Sequence, residues 1–581
     1  MNKLLKYKYW WVAAIIVFVA VIYISTNLRY RIDLTAEKRF TISDATKKML
    51  DNIDSTVTIQ LFLTGDLPAD YRKLSNATQD LINEFRDISH NQVKLVIETP
   101  GEGLPDSSKI PIYDSLSRLG VVFEQNENVA QDNKTTNQLI IPSALVFYKN
   151  RKPFAVDLRS SRKVFKNFNV MNDLQPQEDK EATLNAAEAL LEFKFANAID
   201  KLTRTYIPTI AYVVGNGEPT DLTVNDLGES IRYDYRLAIF DLKAAYPDPK
   251  VIDALVIVKP AKAFTDEDKL KLDQFVMHGG KIIWFVDKLY AEMDSLKRSK
   301  GDFIAFDRNL NLDDILFRYG VRINNDLVQD LNCSKIQLVI GQNPDGSARM
   351  QRMPFPYYPF LNAVNNNPVS KNLDRVLPMF PSSIDTVKAP GIQKTILLAS
   401  DTNSRALSSP AIVSLNSVKD DADFQSFTKS YIPVAVLLEG KFTSLFANRL
   451  TSAIKDSVAK ATHQPFAEVA DKNTSQIVVS NAGIVTNQVS QTVGPLPMGQ
   501  VIDENYRFAN REFFLNSIDY LVSNTGLFAL RNRDFTLRLL DKEKVAEGKT
   551  RWQLINIALP VVLIILFGLI YQWNRKRKFA L

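Results

Sequence analysis

The stretch Val213–Pro219, read as VVGNGEP, sets Gly215, Asn216, Gly217 and Glu218 directly after an apolar run. Glycines so placed let backbone N–H groups come close to a ligand, and α/β proteins build ligand loops at the carboxyl ends of their strands. The third glycine of a G-x-G-x-x-G fingerprint is missing, so a plain tight turn competes with a ligand loop for these four residues. Gly279-Gly280-Lys281 is no phosphate loop: position 275 is Phe275 where the first glycine should stand, and a strand follows the lysine instead of a helix. The chain therefore carries no sign of an ATPase of its own. The single cysteine, Cys333, sits in QDLNCSKIQ without a nearby histidine and reads as a buried or loop thiol. No G-x-S-x-G elbow occurs. His90, His278 and His463 lie far apart, in no ligand-like spacing. Asp266, Glu267 and Asp268 suit the first turn of a helix and His278 its last, each through the helix dipole. The expectation is a protein without catalytic, cofactor or metal residues, hence not an enzyme and without cofactors.

The elements around these residues follow from pattern. Thr41 or Ser43 can cap a helix that starts near Asp44, with Ala45, Met49 and Leu50 on one face. VTIQLFLT (57–64) and VKLVIET (93–99) read as strands about an amphipathic helix, a βαβ unit. SALVFYKNRKPFAVDL predicts a hairpin turning at Lys149 to Lys152, and LNAAEALLEFKFANAIDKLTR a helix. The polar stretches NENVAQDNKTTNQ and NDLQPQEDKEAT read as surface loops. From TIAYVV onward, nearly continuous apolar strands (VIDALVIV, KIIWFV, SQIVV) alternate with helices, which signals a doubly wound α/β sheet. Thr265 should cap one of those helices, and Gly279 and Gly280 should end it. An insertion over about 320–430, rich in proline and asparagine, should be irregular or β-rich.

Two runs are apolar enough to cross a bilayer: YWWVAAIIVFVAVIYISTNL (9–28) and residues 552–573, each about the 20 residues a spanning helix needs. Tyr9, Trp10 and Trp11 edge the first, and Trp552, Tyr571 and Trp573 the second, as headgroup-level anchors. No small-x-small cleavage site follows the first run, which reads as a retained anchor. Lys3, Lys6 and Lys8 precede it, and Arg575, Lys576, Arg577 and Lys578 close the chain. Short basic tails vote for the cytoplasmic side. The expected layout is a cytoplasmic tail (1–8), a span (9–28), an external α/β domain (29–204), a second external α/β domain (205–550), a span (552–573) and a basic cytoplasmic tail (574–581). The large part would then be periplasmic. Asn556 and Pro560 notch the second span: the proline frees a carbonyl one turn earlier, around Asn556, which either hydrates at the interface or docks a helix of a multi-span permease. A net charge of +6 over 581 residues gives no basic face for nucleic acid, and one cysteine excludes both an intramolecular disulfide framework and a cysteine zinc site.

The order of RIDLTAEKRFTIS, LPADYRKLSNATQDLINEF, GNGEP, VIDALVIVKPAKAFTDEDKLKLDQFVMHGGKIIWFVD, LNLDDILFRYGVRINNDLVQD, VLLEGKFTSLFANR and NREFFLNSIDYL, between two terminal spans, resembles the GldG-type gliding-motility branch of the ABC-transporter auxiliary proteins over nearly the whole chain. The resemblance implies a membrane component that partners a permease subunit and an ATP-hydrolysing subunit in gliding bacteria. It also implies a central region similar in fold to class I glutamine amidotransferases but lacking their nucleophile, and no cysteine falls between Arg204 and Asp287. Against this auxiliary or substrate-binding reading stand a cell-envelope scaffold that binds polysaccharide or protein, and a membrane-anchored hydrolase, which the missing nucleophiles disfavour.

Overall fold

The computed structural model describes residues 10–27, 41–129, 135–164, 178–502 apart from positions 300, 416, 419 and 420, then 506–523, 526–532 and 542–579. Both basic tails lie partly or wholly outside these, as do the ends of the first apolar run. The chain forms two units, Met1–Asp534 and Phe535–Leu581.

The first unit opens with helix α1 (Trp10–Asn27), whose side chains from Ile15 to Val19 are exposed. Helix α2 (Asp44–Asp51) starts where Ser43 supplies the cap, its Oγ accepting from the Thr46 N–H at 3.1 Å. Strand β1 (Val57–Leu61), helix α3 (Ala69–Ile88) and β2 (Val93–Ile97) form the βαβ unit, with β1 and β2 parallel. Tyr71, Leu74, Thr78, Ile82 and Phe85 make the buried stripe of α3, spaced three and four apart. Each large apolar side chain so buried contributes about 1.5–3 kcal/mol. After helix α4 (Asp106–Arg118), β3 (Glu124–Val129) and β4 (Thr135–Ile140) pair antiparallel. The expectation of a loop here is corrected. The two strands pair through a backbone ladder, which leaves no mark in hydropathy, so the polar sequence hides them. The hairpin of β5 (Ser143–Tyr148) and β6 (Phe154–Asp157) completes a sheet of order β2-β1-β5-β6. The start of the expected loop, 172–177, lies outside the described residues; from Lys180 to Thr203, expected as the end of that loop and one helix, the chain forms two helices. Asp179 caps α5 (Lys180–Ala189), and a break at Leu190 precedes α6 (Leu191–Thr203).

The second layer is an eight-stranded sheet. Strand β7 (Thr209–Val214), helix α7 (Asn225–Asp234), β8 (Arg236–Asp241), β9 (Ala254–Val258), α8 (Asp266–Met277) and β10 (Ile282–Phe285) alternate as a parallel α/β array. All residues of β9 and β10 are buried, because helices and loops cover both faces. Thr265 and Asp268 form a capping box at the start of α8. At its end the Gly280 N–H donates to the Phe275 carbonyl, and a Cβ on Gly280 would meet the Phe275 ring at 2.3 Å.

Beyond β10, a three-stranded sheet uses β11 (Leu289–Tyr290), β12 (Asp302–Asp307), which follows α9 (Met293–Arg298), and a later strand, β21 (Ala411–Ser414). Helix α10 (Asp313–Tyr319) leads into β13 (Val321–Ile323), β14 (Asp326–Asp330), the hairpin β15 (Cys333–Gln342) and β16 (Ala348–Pro359), and β17 (Asn362–Ala363). Then come β18 (Ile384–Thr386), β19 (Ile392–Ala399), β20 (Ser404–Ser408) and β21 (Ala411–Ser414). The region is β-rich and has its own aromatic core of Phe355, Tyr357, Tyr358 and Phe380. It is not wholly separate: β17 and β19 join the large sheet. After α11 (Asp421–Gln425), β22 (Pro433–Gly440), α12 (Ser452–Thr462) and β23 (Thr474–Val479), the order becomes β17-β19-β22-β23-β10-β9-β7-β8, antiparallel from β22 outward. Helix α13 (Asn510–Val522) packs Phe513, Phe514 and Ile518 into the core on one face of this sheet.

The second unit is helix α14 (Lys542–Phe579). Among the described residues it supplies the one helix long and apolar enough for a membrane crossing, Arg551–Arg577, with none of that stretch buried. Asn556 and Pro560 both lie exposed within it.

Candidate functional site at the carboxyl edge of the parallel strands

Strand β7 runs directly into Gly215. Its φ of 125° and the 82° of Gly217 lie where side chains are strained. Space is tight as well: a Cβ on Gly215 would lie 3.1 Å from Asp241 Oδ1, and one on Gly217 3.1 Å from the Ala261 Cβ. The glycines thus let the loop wedge between the end of β8 and the segment after β9. The Asn216 carbonyl accepts from the N–H groups of Ala261 and Lys262 at 3.0 and 2.8 Å, and the Asn216 N–H donates to Glu218 Oε2 at 2.7 Å.

Asn216 is 1% exposed and Glu218 7%. Both side-chain amide atoms of Asn216, and Glu218 Oε1, have no hydrogen-bond partner among the described residues. Leaving such a group unmade costs about 1–3 kcal/mol, so three within one turn is an unusual concentration. Burial raises the Glu218 pKa above the ordinary carboxylate range, with Asp268 adding to it and Lys243 opposing. The loop therefore holds an amide donor, an amide acceptor and a carboxyl oxygen without partners among the described residues. That is equipment for holding a small polar group by hydrogen bonds.

Neighbouring strands end in further polar residues that sequence reasoning did not single out. Phe285 of β10 and Val479 of β23 are register partners. Two positions on from each stand Asp287 and Asn481. Asp287 Oδ1 accepts from Asn481 Nδ2 at 3.1 Å and from the Ala482 N–H at 2.7 Å. Burial raises the Asp287 pKa, against the pull of Lys259. Lys259, just past β9, pairs with Glu292 at 3.1 Å, which Arg308 reaches at 3.2 Å. The shared offset from a strand end was the available signal, since Asn216 also stands two residues past β7.

The other residues weighed for chemistry lie elsewhere. Cys333 is 3% exposed at the start of β15, and burial pushes its thiol up to about 12. His278 is the C-cap of α8, its Nδ1 3.0 Å from Asp471. Lys281, beyond Gly279 and Gly280, donates to the Leu521 carbonyl at 2.5 Å.

The chain is thus an α/β protein with a largely parallel sheet, and its glycine loop and buried polar side chains lie at the carboxyl edge, where α/β folds build ligand crevices. Residues 207–517, more than half the chain, match the family model for an ABC-type uncharacterized transport system. The chain belongs to that family of ABC-transporter auxiliary components. Residues 36–147 match a domain of unknown function, DUF7088. An uncharacterized protein of Borreliella burgdorferi is 22% identical over 568 residues, covering 94% of either chain. Among solved structures, the mmIFT52 N-terminal domain aligns with 54% of this chain and 98% of its own at 11% identity and a TM-score of 0.31. PurLQS from Thermotoga maritima aligns with 54% and 100% at 9% identity and a TM-score of 0.22. Both scores lie well below the range of shared folds.

Proposed function

We propose that this auxiliary component is a non-catalytic, substrate-binding subunit of an ABC transporter complex that serves bacterial gliding motility, in the manner of the GldG type. Its partners are a multi-span permease subunit and an ATP-hydrolysing subunit in the cytoplasmic membrane. The observation that carries the reading is the family match over residues 207–517. The exposed apolar stretch Arg551–Arg577 and the exposed apolar side chains of α1 support anchoring at both ends. On this reading the termini are cytoplasmic, the large unit is periplasmic, and Gly215, Asn216, Gly217 and Glu218 form the ligand loop. Asn556 and Pro560 are the contact with a permease helix.

A pull-down in mild detergent from native membranes tests it. An ABC ATPase and a multi-span permease should copurify in fixed proportion, and neither appearing sinks the proposal in favour of an envelope scaffold. Replacing residues 552–573 with an unrelated anchor should keep export and folding while losing the permease. Retained copurification would reduce the span to a tether. For orientation, protease added outside spheroplasts should digest the large unit and spare a tag after Leu581.

A further inference from the structure

Asp273 in α8 is 0% exposed. It accepts hydrogen bonds from Ser444 Oγ at 2.6 Å, the Leu445 N–H at 2.9 Å and the Tyr319 hydroxyl at 2.9 Å. Tyr319 ends α10, while Ser444 and Leu445 open the loop that runs on to Arg449. One buried carboxylate thus fastens α10 and this loop to α8, and a buried, fully engaged hydrogen-bond centre rigidifies what it joins.

Between these two walls lies a groove of ≈ 910 Å³, lined among others by Lys288, Asp314, Phe317, Arg318, Arg322 and Arg449. Its volume is within the range of small-molecule sites. Most of its charges are already answered. Lys288 lies 2.9 Å from Asp313 and 3.4 Å from Asp307, Lys269 lies 2.7 Å from Asp314, and Arg322 lies 2.7 Å from Asp385. Arg318 and Arg449 are different: both side chains are exposed, and neither has a carboxylate partner among the described residues. Arg318 is aimed by its Nε, which donates to the Ser444 carbonyl at 3.3 Å, so the loop held by Asp273 also orients this guanidinium. Phe317, 54% exposed, offers an apolar face beside it.

We infer that this groove binds a small organic anion, its carboxylate or phosphate held by Arg318 and Arg449 and its apolar body against Phe317. A guanidinium presents a planar fork of donors that matches both oxyanions, and stays charged at any physiological pH. Both groups line the one groove without carboxylate partners, and the hydrogen bond from its Nε to the Ser444 carbonyl already orients Arg318. The inference uses none of the residues of the glycine loop and stands whether or not the chain serves a transporter.

The test is equilibrium dialysis of the full-length protein in detergent micelles at low salt, with radiolabelled citrate and, separately, inorganic phosphate. At least one should bind saturably, citrate alone assigning a carboxylate ligand and phosphate alone a phosphate one. Arg318→Gln combined with Arg449→Gln should weaken binding at least tenfold. Arg449→Gln alone, at an exposed side chain, should weaken it threefold or more while leaving the melting temperature unchanged. Arg232→Gln, which removes only a surface pair with Glu229, should bind as wild type. Saturation by neither anion, equal binding by the double variant, or the same loss in Arg232→Gln would overturn the inference.

Discussion

The ammonium of Lys201 lies 3.2 Å from the Asp519 carboxylate, although 318 positions separate them and both side chains are under a tenth exposed. The same ammonium lies 2.7 Å from Asp234, the Tyr235 hydroxyl donates to Asp519, and the Arg204 guanidinium stacks on the Tyr235 ring at 5.1 Å. Helix α6, α7 and α13 thus meet at one cation. Burial pulls the Lys201 pKa down, but the two carboxylates outweigh it and the net shift is upward. Burial raises Asp519, helped by Asp234.

Removing that cation strands two buried carboxylates. Lys201→Met should destabilise the protein by about 3–5 kcal/mol, read by urea denaturation in detergent. Acidification should restore part of the loss by protonating Asp519, whose pKa burial raises. A Lys201→Met protein as stable as wild type at pH 7 would show the network to be dispensable.

Asp330 gives a pH dependence. Burial raises its pKa from 3.8 to about 6. The folded state therefore binds its proton more tightly than the unfolded chain does, and the stability this lends is full below pH 3.8 and lost as pH rises through about 6. The whole effect is about 3 kcal/mol at most, from 1.4 kcal/mol per unit. Asp330→Asn should flatten the stability profile between pH 4 and 6, and an unchanged slope would place the titration elsewhere.

Gly440 lies at the end of β22 with φ 141°, where a Cβ would come within 2.0 Å of the Gly391 carbonyl oxygen. Backbone must move to relieve that. Gly440→Ala should cost roughly 2–4 kcal/mol, as strain and overpacking do, whereas Gly346→Ala, with open space around it, should cost no more than the strain of its φ of 82°. Equal melting temperatures for the two variants would contradict the clash.

Cys333 should resist alkylation by iodoacetamide until the protein is denatured, because the thiol is buried and its pKa is pushed up to about 12. Cys333→Ser should cost about 1–3 kcal/mol for burying a hydroxyl and leave function intact. Rapid labelling of the native protein would contradict the burial, and loss of function in a stable Cys333→Ser protein would reopen the case for a nucleophile.

What the sequence revealed followed the range of the interactions. Helix α8 was legible at both ends because Thr265, Asp268 and Gly279 act within a turn of themselves. The glycine loop was legible because only two glycines fit its course, but the orphaned atoms of Asn216 were not, since burial depends on Ala261 and Lys262. Asp287 and Asn481 could not be joined from sequence, being 194 positions apart. The ribbon of β3 and β4 was missed because backbone pairing leaves no mark in hydropathy, and the place of β19 in the large sheet because edge addition is decided by β22 and not by β19 itself.

Strand β23 lies between β10 and β22, and the Trp284 indole on β10 donates to Gln476 on β23 at 2.9 Å, across 192 positions of chain. The wholly apolar strand Ile282–Phe285 thus waits for a partner synthesised far later. At about 5–20 residues per second, translation leaves that edge open for roughly ten to forty seconds, time in which another unpaired strand can dock on it. The β10 edge should accordingly be the segment most exposed to mispairing before β23 arrives.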